Sequence, residues 1–343
     1  MTYQKGRGAQ FNPANRFEST IADDGATEPD KATKYTIVYP KNILNKVNSP
    51  DIGMAWSMNP YQGCEHGCVY CYARNTHNYW GYSAGLDFEQ QILVKKNAPE
   101  LLEKKLRSPK WEAAAIMLSG NTDCYQPAEK EFRITRSLLE VLWRYRHPVG
   151  VITKNSLILR DLDILEKLAS KNLVRASVSL TTLSEDTRRI LEPRTATAEQ
   201  RLRTIRELSS AGVSVNVMLA PIIPGLNDHE IIPMAEAAAE AGAVSMASTV
   251  VRLNGDVSEI FEDWARRTIP ARADRVLNRI RDCHGGNLND SRFGTRMRGE
   301  GKIADVIHQQ MSLARARFFA GREKSGYNLD MHRDFKTPQM RLF

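Results

Sequence analysis

The chain has 343 residues, 42% hydrophobic and 26% charged, with a net charge of +8, enough to bury one large core or two ordinary ones. No run of about 18 apolar residues reads as a membrane span, and the first residues lack the apolar stretch of a secretory signal, so a cytoplasmic protein with no membrane partner is expected. In that compartment five cysteines read as metal ligands or reactive thiols and not as a disulfide framework.

In chain order, residues 1–34 are rich in Gly, Asn, Asp and Pro and predict an irregular arm. From about Met54 short β-branched runs alternate with helical patterns. Strands are predicted at 113–120, 149–154, 174–180, 213–221 and 243–251, with one more leading into the cysteines. Helices are predicted at 131–146, 160–170, 197–212 and 227–242, where apolar residues recur at helical spacing. Strands and helices that alternate in this way make βαβ units and a parallel sheet. Six such units predict an α/β fold, a partial (β/α)6 TIM-like barrel over residues 35–255; a doubly wound open sheet is the second choice. In either, ligands bind at the carboxyl ends of the strands.

From about Asp256 the pattern changes to Arg-rich helices near 256–267, 271–282 and 301–319. Residues 256–343 are therefore expected to form a basic helical C-terminal extension that covers the open side of the barrel. The charge is concentrated there: Trp264–Phe343 carries 17 Lys and Arg against 8 Asp and Glu, while the rest of the chain has 31 against 32. Such a segment can hold DNA or RNA phosphates, or can be solvated helix surface.

The stretch "SMNPYQGCEHGCVYCYAR" (57–74) brings Cys64, Cys68 and Cys71 together as C-x3-C-x2-C. Two chemistries fit three thiols on a short loop. Zinc would need a fourth ligand, His66 or the distant Cys283 or His284. A [4Fe–4S] cluster held by three cysteines would keep one iron open to a small molecule. Zinc knuckles normally come in pairs, and no second C-x2-C is present.

At this point the sequence resembles a family. C-x3-C-x-aromatic-C, with Tyr70 as the aromatic residue, is the signature of radical S-adenosylmethionine (radical SAM) enzymes. "TDCYQPAE", "TKNSLILRDLDIL", "SVSLTT", "EPR", "APIIPGLNDHE" and "RFGTRMRGEG" follow in order. Together they resemble the subfamily related to spore photoproduct lyase, over about residues 53–300. The resemblance implies a [4Fe–4S] cluster on Cys64, Cys68 and Cys71, whose open iron chelates SAM. It implies reductive cleavage of SAM to a 5′-deoxyadenosyl radical, an electron donor such as flavodoxin or ferredoxin, and a DNA-repair or base-modifying activity. A protein or small-molecule substrate is the alternative, and a non-catalytic zinc-stabilised nucleic-acid-binding protein is the third reading.

The resemblance also implies where SAM is held. Ser119, Gly120, Asn121, Thr122 and Asp123 occupy the turn that is Gly-Gly-Glu-like in many relatives, with Asp123 as the acid for the amino group. Lys154, Ser177 and Ser179 match positions that contact the SAM carboxylate and ribose, and Arg194 in "LEPR" is a further candidate. Asn216 lies inward on the fifth strand, and Ile222 and Ile223 would flank adenine. Cys124 follows Asp123 and is the candidate hydrogen-atom donor; Tyr72 and Tyr125 could confine radicals or simply pack. The last residues, "QMRLF", resemble the peptide that docks on the bacterial β sliding clamp, through Gln339, Met340, Leu342 and Phe343.

Overall fold

The computed structural model describes residues 3–15, 17 and 32–336. The sliding-clamp-like residues 339–343 lie outside that range, as does most of the second half of the N-terminal arm. In chain order the strands are β1 (Lys34–Val38), β2 (Leu44–Lys46), β3 (Trp56–Met58), β4 (Tyr61–Gln62), β5 (Gln91–Lys95), β6 (Ile116–Leu118), β7 (Val149–Thr153), β8 (Val174–Ser179), β9 (Ser214–Ile222) and β10 (Ser245–Val250).

Seven of them form one sheet in the order β10-β9-β8-β7-β6-β3-β2. Strands β3, β6, β7, β8, β9 and β10 are all parallel, and β2 lies antiparallel on the edge. This is the expected set of six parallel strands, ordered as a partial barrel whose end strands do not pair. Helices Ile134–Arg144, Leu162–Ala169, Ala198–Ser210 and Ile231–Glu240 connect successive strands. The two-residue period sorts the wall: on β9, Val215, Val217 and Leu219 are buried, while Asn216, Met218 and Ala220 line the less covered face. The apolar set packs on the helices and makes the main core.

A second sheet, β1-β5-β4, falls outside the expected pattern. Its strands are two to five residues long, too short for periodicity alone to mark them. The first part of the N-terminal arm has irregular backbone, but it is anchored. Buried Glu89 accepts from Gly8 N and Ala9 N at 3.0 and 2.8 Å, and Arg7 Nη1 donates to the Glu89 carbonyl. Gly8 lies so close to the cysteine loop that a Cβ there would stand 1.8 Å from the Gly67 carbonyl oxygen, which only glycine permits.

The C-terminal helices span Val257–Thr268, Ala273–Cys283 and Gly301–Phe318, followed by Asp330–Lys336. The extension runs along the last barrel strand: Val250 N donates to Met297 O, and Leu253 N to Leu288 O, both at 2.9 Å. Its first two helices supply Val257, Phe261, Trp264, Val276, Leu277 and Ile280 to a second apolar cluster that also contains Cys68, Val69 and Tyr70. The cysteine loop therefore rests partly on the extension. At the amino ends of the strands, Tyr327 lies against Gly150 and under the Arg175 guanidinium, 4.5 Å from the ring centre. Among the described residues no helix is long and apolar enough to cross a membrane.

Candidate active site

The cysteine loop follows β3 at the carboxyl end of the sheet. Cys64 and Cys68 are each 7% exposed, and Cys71 is partly buried. Cys64 N donates to Phe88 O at 2.8 Å, and Val69 N to Leu191 O at 3.1 Å. Fully buried Arg74 braces the loop from inside. Its Nε donates to Cys68 O at 3.0 Å, its Nη1 to Ala84 O and Gly85 O, and its Nη2 pairs with Glu89 at 2.5 Å.

Burial pushes the Cys64 thiol well up, as do Asp123 and the other two thiols. Burial raises Cys68 too, as does Glu192, whereas Lys154 opposes the rise. Burial also raises Cys71, against the pull of Arg74. Three buried thiols that raise one another need a cationic partner before they can all ionise. Among the described residues no three His, Cys, Asp or Glu side chains converge where they could hold one metal ion. Three cysteines on one short loop leave a four-site metal centre one protein ligand short, as a cluster with one open iron requires. His66 is not a spare ligand. Burial lowers its pKa to about 4, its Nδ1 lies 3.4 Å from Asp123 and its Nε2 faces Asn155 Nδ2 at 3.2 Å.

Above the loop stands a charged knot whose centre, Glu192, is absent from the expected site. It is fully buried. Its Oε1 accepts from the Tyr70 hydroxyl, from Thr181 Oγ1 at 2.7 Å and from Lys154 Nζ at 3.1 Å. Its Oε2 pairs with Arg201 Nη2 at 2.5 Å. Lys154 thus directly follows β7, and an anion for it is supplied from within the chain. The ammonium also lies 5.7 Å from the centre of the Tyr70 ring. Burial lowers its pKa to about 8, against the pull of Cys68. Tyr70 is tied to Glu192 rather than free beside the loop. The only sequence signal for Glu192 is its place in "LEPR", next to Arg194.

The "SGNTD" turn is knitted to its surroundings. Ser119 adopts a left-handed φ of 69°, and its Oγ accepts from Cys124 N at 2.7 Å. Tyr72 donates to Gly120 O at 2.6 Å, Asn121 Nδ2 to Thr76 Oγ1 at 2.9 Å, and Thr122 Oγ1 to Tyr61 O at 2.7 Å. Both Asp123 oxygens already accept: from Thr153 Oγ1 at 2.8 Å and Tyr125 N at 2.9 Å, and from Lys154 N at 2.8 Å. The acid therefore fixes the end of β7.

Ser177, Asn216 and Ser245 lie side by side across β8, β9 and β10. Asn216 Nδ2 faces Ser177 Oγ at 3.4 Å, and Ser245 Oγ donates to Asn216 Oδ1 at 2.9 Å. Ser179 is two residues further along β8, with its carbonyl taken by Arg201. Ile222 and Ile223 have no exposed surface; Ile222 belongs to the main core and Ile223 to the cluster under Cys68 and Tyr70. Arg194 faces away from the knot: its Nε donates to Gly6 O at 3.1 Å and its Nη1 lies 3.9 Å from Glu65.

The thiols outside the loop belong to another apolar cluster. Cys124 and Cys283 are fully buried in the main core, a different cluster from that of Cys68. Burial raises the Cys124 thiol well above its ordinary range. Tyr125 is also fully buried and donates to Asp161 at 3.1 Å, whereas Tyr72 is 48% exposed at the mouth.

The sequence model of the radical SAM superfamily matches residues 58–238, more than half of the chain. An uncharacterised protein of Mycobacterium tuberculosis is 33% identical over 247 residues, covering 71% of this chain and 72% of its own. One of Methanocaldococcus jannaschii is 30% identical over 192 residues, covering 56% and 69%. The radical SAM Nalpha-GlyT isomerase of Pseudomonas phage M6 is 26% identical over 175 residues, covering 50% and 34%. Spore photoproduct lyase, solved with dinucleoside spore photoproduct, superposes with a TM-score of 0.63 at 15% identity, covering 86% of this chain and 82% of that one. At that identity the likeness shows the fold. A C-x3-C-x2-C loop at the carboxyl end of a six-strand parallel wall, in a chain matched by this family, makes the protein a member of the radical SAM superfamily, an enzyme of the class that works with a [4Fe–4S] cluster and S-adenosylmethionine.

Proposed function

We propose that the protein generates a 5′-deoxyadenosyl radical at the cysteine loop and uses it on a nucleic acid, in lesion repair or base modification. The observation that carries the radical chemistry is the loop itself: three cysteines in C-x3-C-x2-C spacing, two of them buried, with one lysine close enough to act on their charge. When bound, the reduced cluster supplies the electron that cleaves SAM. Cys64, Cys68 and Cys71 would hold three of its irons. Lys154 offsets thiolate charge, and its ammonium is close enough to the loop to meet a SAM carboxylate. The Ser177–Asn216–Ser245 ladder offers hydroxyl and amide groups to a ribose. Ser119, Gly120, Asn121 and Asp123 shape the turn beneath, and Ile223 would support the adenine from within the second cluster. Arg194 and Ile222 contribute indirectly, through the arm and the core. Cys124 is the proposed hydrogen-atom donor although it is buried, and Tyr72, 48% exposed, is sited to confine radicals at the mouth.

A nucleic-acid substrate is supported by the charge excess of the last 80 residues and by a fold neighbour that holds a dinucleoside photoproduct. Radical SAM enzymes need a reductant, and flavodoxin or ferredoxin is the proposed donor, in the cytoplasm. The test is anaerobic SAM cleavage in the presence of deuterated nucleic acids, watched for deuterium in 5′-deoxyadenosine. The terminal "QMRLF" is proposed to dock on the β sliding clamp. Capture on immobilised clamp should fall at least about tenfold when residues 339–343 are deleted; undiminished capture would reject it.

A further inference from the structure

Just past the carboxyl end of β10, residues 251–256 are held from three sides. Val251 N donates to Ile222 O and Leu253 N to Leu288 O, both at 2.9 Å. Asn75, in the short helix after the cysteines, donates from Nδ2 to Asn254 O at 2.7 Å and accepts from Asp256 N at 3.0 Å. The last barrel strand, the cysteine loop and the C-terminal extension therefore meet around Arg252.

Several arginines of the extension are already paired with carboxylates. Arg266 meets Glu262, Arg267 meets Asp263, and Arg292 meets both Asp290 and Glu300. Arg252 differs: it is half-buried, and among the described residues no carboxylate lies within salt-bridge distance. The acid that acts on it, Asp51, is taken by Arg296 Nε at 2.5 Å and Gly294 N at 2.7 Å. Burial and the Arg296 charge both disfavour its protonated form. A partly desolvated guanidinium beside another cation is unfavourable unless a ligand brings the anion.

Two rings flank it. Tyr72, close enough to Arg252 to act on its charge, is 48% exposed, with its hydroxyl pinned to Gly120 O. Phe293 is 57% exposed, and one side of its ring is covered by the Arg296 guanidinium at 4.4 Å. Asp51 and Ser49 fix that guanidinium, so the exposed ring packs on a cation that is itself held in place.

We propose that Arg252, Tyr72 and the Phe293–Arg296 pair form a rim that grips single-stranded nucleic acid at the barrel mouth, Arg252 on a phosphate and the two rings against unstacked bases. A single strand is favoured over a duplex because ring faces receive bases only when those bases are out of the stack. The rim rests on the nucleic-acid reading above and gives it a location.

The test uses anaerobically reconstituted full-length protein and a fluorescein-labelled oligothymidylate of about twelve nucleotides, read by anisotropy across a salt series. Arg252→Ala should weaken binding about tenfold and make the slope of log affinity against log salt shallower by about 0.7, one lost phosphate contact on a single strand. Phe293→Ala should weaken binding about fivefold or more and leave the slope unchanged. Arg203→Ala, on an exposed helix where Arg203 pairs with Glu207, should bind as wild type. A methylphosphonate oligomer should not distinguish Arg252→Ala from wild type. No binding by wild type, equal salt slopes for wild type and Arg252→Ala, or equal affinity for polyglutamate overturns the rim. Wild type that behaves as expected here yet cleaves no SAM overturns the radical reading alone.

Discussion

Replacing Cys64, Cys68 and Cys71 by Ala is expected to take the anaerobically purified protein from about four irons per chain to essentially none. The same variant should release no 5′-deoxyadenosine from SAM under dithionite. Each thiol is carried by the same buried loop, and no fourth cysteine is near enough to substitute, because Cys124 and Cys283 lie in the main core. Cys124→Ala and Cys283→Ala should therefore keep the full iron content. Iron and acid-labile sulfide assays, with the visible spectrum, check both halves. One tightly bound zinc in the wild type and a colourless protein would restore the zinc reading.

Glu192→Ala is expected to be among the most damaging single changes outside the cysteines. It removes one buried carboxylate and leaves Lys154, Arg201, Thr181 and the Tyr70 hydroxyl without their shared acceptor. Breaking a buried ion pair from one side costs about 3–5 kcal/mol, because the remaining charge is left uncompensated. Urea unfolding of the apo protein should show that loss. Removing Lys154 as well, in a Glu192→Ala, Lys154→Met double variant, should recover part of it, since one of the two cations that Glu192 pairs then goes with it and only Arg201 is left. Full additivity of the two single changes would mean that Glu192 and Lys154 are not coupled. The change should also loosen the cysteine loop, because segment 191–194 takes Val69 N on Leu191 O and gives Arg194 N to His66 O at 3.3 Å.

The barrel could be read from the sequence because its code is local. Strands such as "VRASVS" alternate two by two, helices such as "AEQRLRTIRELSS" repeat at 3.6 residues, and each boundary falls within a few residues of its expected place. The second sheet was not readable, since β1 and β5 pair across more than 50 residues of chain that hold the first barrel strand and the cysteine loop. The site divides in the same way. The cysteines are adjacent in sequence, so their spacing announces them. Glu192 and Arg252 acquire their meaning only when distant segments meet: Glu192 from Tyr70, Lys154 and Arg201, and Arg252 from Asn75, Leu288 and Arg296. Asp123 and Arg194 look like free site residues in the sequence, yet the fold occupies them with backbone ties. Cys124 shows the converse, a reactive side chain that its neighbours turn into core.

The decisive measurement is 5′-deoxyadenosine formation by the reconstituted, dithionite-reduced enzyme with SAM and uniformly deuterated single-stranded DNA or RNA. The account predicts that 5′-deoxyadenosine forms only when all three loop cysteines are present. It also predicts that deuterium appears in the 5′-deoxyadenosine formed with one of these nucleic acids. Cleavage without deuterium transfer from either would contradict the nucleic-acid assignment, and absence of cleavage from an iron-replete protein would contradict the radical chemistry itself.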